Sequence, residues 1–119
     1  MLNDASGFEK IYIACGYSDL RRGIDGFADL IQREFKLDPF KSGILFLFCG
    51  RKTDRIKGLL WEGDGFLLLY KRLETGKFQW PRTEAEVKAI SPQQYKWLME
   101  GLSMDQKKAI KNLKPERVL

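Results

Sequence analysis

The stretch of sequence that decides the fold runs from residue 44 to residue 81 and reads ILFLFCGRKTDRIKGLLWEGDGFLLLYKRLETGKFQWP. Residues 44–49 are apolar at every position, as expected for a central strand that is covered on both faces. A polar loop over 50–54 and turns at Gly63-Asp64 and Glu74-Thr75-Gly76 separate three further predicted strands, 55–62, 65–73 and 77–80. Because these connections are too short for a parallel crossover, the pattern predicts an antiparallel β-meander.

On the N-terminal side of this stretch, the pattern predicts one strand and one helix. Residues 10–15 form a short apolar strand ended by Gly16. Ser18 is a candidate N-cap, and apolar residues then recur every three or four positions, which predicts an amphipathic helix over 19–36. We expect this helix to pack on the sheet.

On the C-terminal side, Ser91-Pro92-Gln93-Gln94 carries a helix cap, a proline at the first helical position and a glutamine three after the serine. It predicts a helix to about Gly101, and residues 103–114 suggest a second short helix. The expected fold is α+β, with an antiparallel β-meander of four to five strands, an amphipathic helix from the N-terminal half and short C-terminal helices. We expect a flexible lead-in over 1–9, a single domain over 10–102 and a short helix with a basic tail over 103–119.

Composition narrows the possible functions of this chain of 119 residues. It contains no histidine, which excludes serine or cysteine catalysis through imidazole and zinc sites built on histidine. Cys15 and Cys49 each follow an apolar run and are interpreted as small buried residues in a reducing compartment, although a disulfide between them stays open. A basic leader is missing, and the apolar runs are too short for a membrane span. We therefore expect a soluble, cytoplasmic protein without membrane contact.

Catalytic and cofactor motifs are not found in the sequence. Metal-dependent nucleases need carboxylates that converge on divalent ions, and the acidic residues show no recognisable spacing. Two of them, Glu62 and Asp64, flank a tight turn, where acids are common for conformational reasons. Neither a phosphate-binding loop nor a dinucleotide fingerprint occurs. The sequence therefore predicts a non-enzymatic protein with no metal and no cofactor.

The net charge of +5 is concentrated in the meander. Residues 51–82 hold eight Lys and Arg against four Asp and Glu, a net +4, whereas residues 1–50 carry −1 and residues 83–119 carry +2. Strand alternation places Arg55 and Lys57 on one face of their strand and separates Lys71 from Tyr70 and Arg72 on the next. The candidate contact residues for DNA or a partner are Arg51, Lys52, Arg55, Lys57, Tyr70, Lys71, Arg72 and Lys77.

Basic residues interleaved with aromatic rings are typical of surfaces that bind the nucleic-acid backbone and stack on bases. The alternative is that these cations form an ordinary solvated face or protect an edge strand. For the aromatic residues, core packing is the prediction at Phe46, Phe48, Phe66 and Tyr70, whereas Trp61 and Trp80 are left undecided.

The meander also resembles a known family, the accessory proteins encoded by the second open reading frame of insertion sequences of the IS66 type. The similarity is carried by residues 49–57, 60–66 and 70–81, and extends to 11–16, 19–27, 37–40 and 98–102. These accessory proteins are also called TnpB-type proteins. Within the meander, seven residues match the family pattern position by position: Arg51, Asp54, Arg55, Lys57, Tyr70, Lys71 and Arg72.

The resemblance implies a protein encoded beside a separate transposase and required for, or assisting, transposition of a mobile genetic element. It supplies no catalytic residues. We expect a non-enzymatic accessory factor that binds insertion-sequence DNA through the basic meander. The alternative is a protein-interaction module that docks onto the element-encoded transposase, or another element-encoded protein, without contacting DNA. The oligomeric state is not predicted by the sequence.

Overall fold

The structure of the protein is a computed structural model that describes residues 7–82 and 86–105. Within these residues, five strands form one sheet in the order β4-β3-β2-β1-β5, accompanied by two helices. This arrangement confirms the predicted α+β class. The elements in chain order are β1 (Lys10–Ala14), α1 (Ile24–Arg33), β2 (Ile44–Cys49), β3 (Arg55–Trp61), β4 (Phe66–Arg72), β5 (Val87–Ile90) and α2 (Pro92–Met99).

The antiparallel meander is confirmed for β2, β3 and β4, but the complete sheet is mixed. β1 pairs in parallel with β2, with Lys10 opposite Ile44, and it pairs antiparallel with β5 on its other side. The prediction of a wholly antiparallel sheet is therefore wrong where β1 pairs with β2. The reason is the connection over residues 15–43, which is long enough to hold α1 and to return the chain in the same direction.

The sheet is covered on both faces, as the apolar run of β2 predicted. All six residues of β2 are buried. On one face, which we call the α1 face, the ring of Phe27 from α1 lies 4.3 Å from that of Phe48, measured between centroids. On the opposite α2 face, Tyr95 and Leu98 of α2 are fully buried against residues of β1 and β2 such as Ile13. Burial of these side chains on two faces is the main source of stability.

Helix α1 is shorter than predicted at both ends. It begins at Ile24 rather than at residue 19, with Gly23 at the N-cap and no side-chain cap. Asp19 instead accepts a hydrogen bond from the backbone N–H of Arg21 (3.0 Å), so it organises a local turn rather than a helix terminus. At the other end, Lys36 takes a left-handed conformation with φ of 57° and ends the helical course of the chain.

Residues 77–80, predicted as a strand, follow an irregular path across the α2 face. Two buried aromatic residues anchor this segment. The backbone N–H of Phe78 donates to the carbonyl of Thr53 (2.7 Å), and the indole Nε1–H of Trp80 donates to the carbonyl of Ala14 (2.9 Å). The alternation of buried and exposed residues reflects these anchors and not strand pairing. The fifth strand is β5, in a region for which the sequence predicted no strand.

The C-terminal helix starts as predicted. Ser91 caps α2 with a reciprocal pair of hydrogen bonds, in which its Oγ accepts from Gln94 N–H (3.1 Å) and Gln94 Oε1 accepts from Ser91 N–H (2.9 Å). A second helix was predicted over 103–114. Residues 103–105 of this range are not helical, and the remainder lies outside the described residues. The same holds for residues 1–6 of the predicted lead-in. No helix within 7–82 and 86–105 is long and apolar enough to cross a bilayer.

Candidate functional site

An open groove of about 940 Å³ lies on the α1 face, where the segment before α1 meets the loop between β2 and β3. Three chain segments form it: residues 17–21, residues 50–52, and the adjoining ends of β3 and β4. We call it the basic groove. Its lining residues are Tyr17, Ser18, Asp19, Leu20, Arg21, Gly50, Arg51, Lys52, Arg55, Lys57, Leu68 and Tyr70.

Strand register brings the residues of β3 and β4 together in the groove. Lys57 lies directly opposite Tyr70, and Arg55 lies opposite Arg72, so all four side chains point to the α1 face. The Lys57 Nζ lies 5.7 Å from the centroid of the Tyr70 ring and donates a hydrogen bond to the carbonyl of Arg22 (3.3 Å). The sheet therefore fixes an alternating arrangement of cations and an aromatic ring.

Arg55 is held by its neighbour in sequence. Its Nε lies 2.9 Å from Asp54 Oδ1, and its Nη2 lies 3.3 Å from Asp54 Oδ2. This bidentate hydrogen bonding lowers the pKa of Asp54 and raises that of Arg55. The Asp54 carbonyl also accepts from the N–H of Leu73 (2.7 Å), which ties the loop to the end of β4. Part of the Arg55 charge is therefore neutralised within the protein.

The loop end of the groove is built around Tyr17, whose residue surface is 58% exposed. Arg51 donates from Nη2 to the Tyr17 hydroxyl (2.8 Å), and its Cζ lies 4.6 Å from the centroid of the Tyr17 ring. Arg82 Cζ lies 5.7 Å from the same centroid, and its Nη2 donates to the carbonyls of Gly50 (2.7 Å) and Arg51 (2.9 Å). Two guanidinium groups thus hold the ring and the loop in place.

Gly50 permits the close contact between this loop and the segment before α1. A Cβ atom at this position would lie only 3.1 Å from Leu20 Cδ1, which is tighter than ordinary van der Waals contact. The N–H of Ser18 donates to the carbonyl of Cys49 (2.8 Å) next to this contact. The two segments that form one end of the groove are therefore packed and hydrogen-bonded together.

Asp19 is the one carboxylate among the described residues that line the groove, against five cations. Arg21 donates to it from Nε and Nη2, each at 2.9 Å. These hydrogen bonds lower the pKa of Asp19 to about 2 and raise the pKa of Arg21. Because both side chains are well exposed, the ion pair is solvated, and the groove retains a marked positive excess.

The predicted contact residues divide into two groups in space. Arg51, Lys52, Arg55, Lys57 and Tyr70 line the groove together. The other three lie outside it. Arg72 is adjacent to Arg55 and pairs with Glu74 (3.3 Å), Lys71 occupies the opposite, α2 face of β4 across from Ile56, and Lys77 is exposed in the segment after β4.

The predicted aromatic core is correct for Phe46 and Phe48, which are buried, and Phe66 is half-buried. It is wrong for Tyr70, which is 54% exposed. The reason is that β4 is the edge strand, and the end that carries Tyr70 faces the open groove. Of the two undecided residues, Trp80 is buried and Trp61 is half-buried.

Four groove residues or neighbours were missed from the sequence: Tyr17, Asp19, Arg21 and Arg82. The first three belong to the run YSDLRR over residues 17–22, where an aromatic residue and two arginines directly follow a strand. The same run also fits the start of the predicted helix, so its aromatic and basic residues do not stand out as a binding segment. For Arg82, whose contacts are 31 and 32 residues away in sequence, no local signal exists.

The chemistry of the groove suits an anion with flat apolar parts. Arginine and lysine supply hydrogen-bond donors and positive charge, and the two exposed tyrosines supply ring faces. Within the described part of the chain, no group of three or more Cys, Asp and Glu is placed to hold a metal ion. Cys49, fully buried behind the loop, has its pKa raised to about 11 by desolvation.

Comparison with known proteins gives one family. The family profile described as "IS66 Orf2 like protein" matches residues 9–109. Uncharacterized protein y4hO of Sinorhizobium fredii is 39% identical over 93 residues, covering 78% of this chain and 80% of the relative. Uncharacterized protein y4jC of the same organism is 31% identical over 109 residues, covering 92% of each chain. No solved structure matches the chain significantly.

Proposed function

Since the chain belongs to the IS66 Orf2-like family, we propose that it is an accessory protein for transposition of an insertion sequence, and that it acts by binding DNA rather than by catalysis. The observation that carries the DNA-binding part is the basic groove, where five cations and two exposed tyrosines converge from three chain segments. The expected partners are insertion-sequence DNA and the machinery that the element encodes.

The physical basis of this proposal is the polyanionic character of DNA. Each phosphate that a Lys or Arg neutralises releases condensed counterions, so binding gains free energy from the salt gradient around the nucleic acid. The side chains of Lys57 and Arg55 are already restrained by hydrogen bonds to the Arg22 carbonyl and the Asp54 carboxylate, so they have less conformational entropy to lose on binding. A groove of this kind positions a phosphate backbone without requiring a particular base sequence.

The test is a measurement of DNA binding across a range of salt concentrations. Fluorescence anisotropy with labelled DNA from the ends of the element, both annealed and as separated strands, gives the affinity and its salt dependence. The double variant Arg51→Gln/Lys57→Gln removes two groove cations. We expect weaker binding to DNA and a salt slope that falls by about 0.7–0.9 for each phosphate that the variant no longer neutralises.

A matched control changes the same amount of charge on the other side of the molecule. Lys88 lies opposite Ile13 on the α2 face, and Lys96 is exposed on α2. The double variant Lys88→Gln/Lys96→Gln should retain nearly all of the affinity. Equally weakened binding in both double variants would mean that only net charge matters, and the absence of DNA binding by the unaltered protein would refute the proposal.

A second candidate function is docking onto the element-encoded transposase. Phe40, which is 50% exposed, packs edge-on against Trp61 at a centroid distance of 5.2 Å and also contacts Phe66. Exposed aromatic clusters of this kind are enriched at protein interfaces. Phe40→Ala should then abolish capture of purified transposase in the presence of nuclease, whereas Arg51→Gln/Lys57→Gln should not. Capture that disappears on nuclease treatment would refute direct docking.

A further inference from the structure

We propose that the basic groove binds unpaired, single-stranded DNA, with bases stacked on Tyr70 and on the pair formed by Tyr17 and Arg51. This inference rests on the proposed DNA-binding function and narrows its substrate from DNA in general to strands without a Watson–Crick partner. Three properties of the groove support it: its exposed rings, its concave shape and its engaged guanidinium groups.

The exposed rings are the first property. Tyr17 and Tyr70 are 58% and 54% exposed, although most large apolar side chains of the described chain are at least half-buried. They come from different segments, the one before α1 and the edge strand β4, yet they line the same groove. Bases whose faces are free can stack on such rings, whereas the bases inside a duplex are already stacked on each other.

Shape is the second property. Many proteins that read a DNA duplex insert a protruding helix or two-stranded ribbon into its major groove. Here the cations line a concavity instead. The protruding turn of the β3–β4 hairpin carries Glu62 and Asp64, both exposed, and these carboxylates would face phosphates if the hairpin entered a duplex. A flexible single strand, by contrast, can follow the concave surface.

The third property concerns how the arginines are already used. Arg55 is paired with Asp54, Arg21 is paired with Asp19, and Arg51 donates to the Tyr17 hydroxyl. Among the described residues, neither Asn nor Gln lines the groove. The groove therefore offers few free side-chain groups for bidentate hydrogen bonding to the edges of guanine and adenine. Charge and stacking remain, and these favour binding that tolerates many sequences.

The experiment compares three labelled oligonucleotides of one sequence by fluorescence anisotropy: single-stranded DNA, the corresponding duplex DNA, and single-stranded RNA. We expect the unaltered protein to bind single-stranded DNA most tightly. Tyr17→Ala and Tyr70→Ala should each weaken single-stranded binding by about 5- to 150-fold, the range seen when one stacked base loses its aromatic partner. Binding to the duplex should weaken less than binding to the single strand.

Two further variants keep the test interpretable. Tyr70→Phe preserves the ring and should weaken single-stranded binding far less than Tyr70→Ala does, since stacking needs no hydroxyl. Phe40→Ala removes an equally exposed ring outside the groove and should have no effect. Circular dichroism and thermal melting of each variant show whether the fold is intact.

The outcomes separate this inference from the function on which it rests. If Arg51→Gln/Lys57→Gln weakens DNA binding but the duplex binds as tightly as the single strand, the proposed function stands and the single-strand inference is overturned. Equal affinity of Tyr70→Ala and the unaltered protein, or tighter binding of the RNA, also overturns it. If no form of DNA binds, the proposed function itself fails.

Discussion

Replacing Trp80 by phenylalanine should destabilise the protein by about 2–5 kcal/mol. The indole Nε1–H of Trp80 donates to the Ala14 carbonyl at 2.9 Å, and the side chain is buried on the α2 face. Loss of the donor to a buried carbonyl costs about 1–3 kcal/mol. The smaller ring leaves unfilled space, which adds about 1–2 kcal/mol by comparison with the cost of other large-to-small core substitutions.

The assay is urea denaturation followed by the fluorescence of the two remaining tryptophans and by circular dichroism. A stability loss of this size should lower the midpoint without changing the slope of the transition. Trp97→Phe makes the same chemical change at a half-buried position in α2 and should cost about 1 kcal/mol or less. If both variants unfold at the same urea concentration, the hydrogen bond to Ala14 does not anchor the segment over 77–82.

Three further predictions concern the helix cap, the buried thiol and the charge of the groove. Ser91→Ala removes one half of the capping box at α2 and should cost about 1 kcal/mol, read from the urea midpoint; an unchanged midpoint would contradict it. In a Cys15→Ser variant, Cys49 should react with a thiol reagent at pH 8 at least about 100-fold more slowly than in the urea-unfolded chain. The reason is that the pKa of Cys49 is raised to about 11 and its side chain is buried. Equal reaction rates in the folded and unfolded chains would contradict this prediction. DNA affinity should change less than about 2-fold between about pH 6 and 8, because the chain has no histidine. The carboxylate of Asp19, with its pKa lowered to about 2, loses its charge only when the pH falls to about that value. A steep change of affinity in this pH range, measured by anisotropy, would contradict the prediction.

Local sequence signals predicted the elements whose determinants are close together in the chain. The apolar run of β2, the turn at Gly63-Asp64 and the cap at Ser91 all act over a few residues, and each lies where the sequence placed it. The strand predicted over 77–80 is wrong because the determinants of this segment are distant in the chain. The segment's alternation of apolar and polar residues predicts a strand, yet it arises because Phe78 and Trp80 are anchored to the distant residues Thr53 and Ala14.

The candidate site was predictable in part for the same reason. Alternation placed Arg55 and Lys57 on one face of β3, and Tyr70 with Arg72 on one face of β4. The hairpin register of the structure shows that these two sets share the same face of the sheet. The opposite side of the groove comes from residues 17–21, which approach the 50–52 loop only because β1 lies beside β2. That neighbourhood depends on the parallel pairing of β1 and β2, which was not predicted, so Tyr17 and Arg21 were not recognised.

The order of the strands has a consequence for how the protein is synthesised. Of the five described strands, β1 leaves the ribosome before the others, but in the finished sheet it lies between β2 and β5, the last of the five. Until Ile90 has emerged, one side of β1 lacks its hydrogen-bonding partner, and an unpaired strand edge can recruit another chain. A chain that ends before β5 would therefore leave this edge of β1 exposed, and β5 is the element that covers it in the complete sheet.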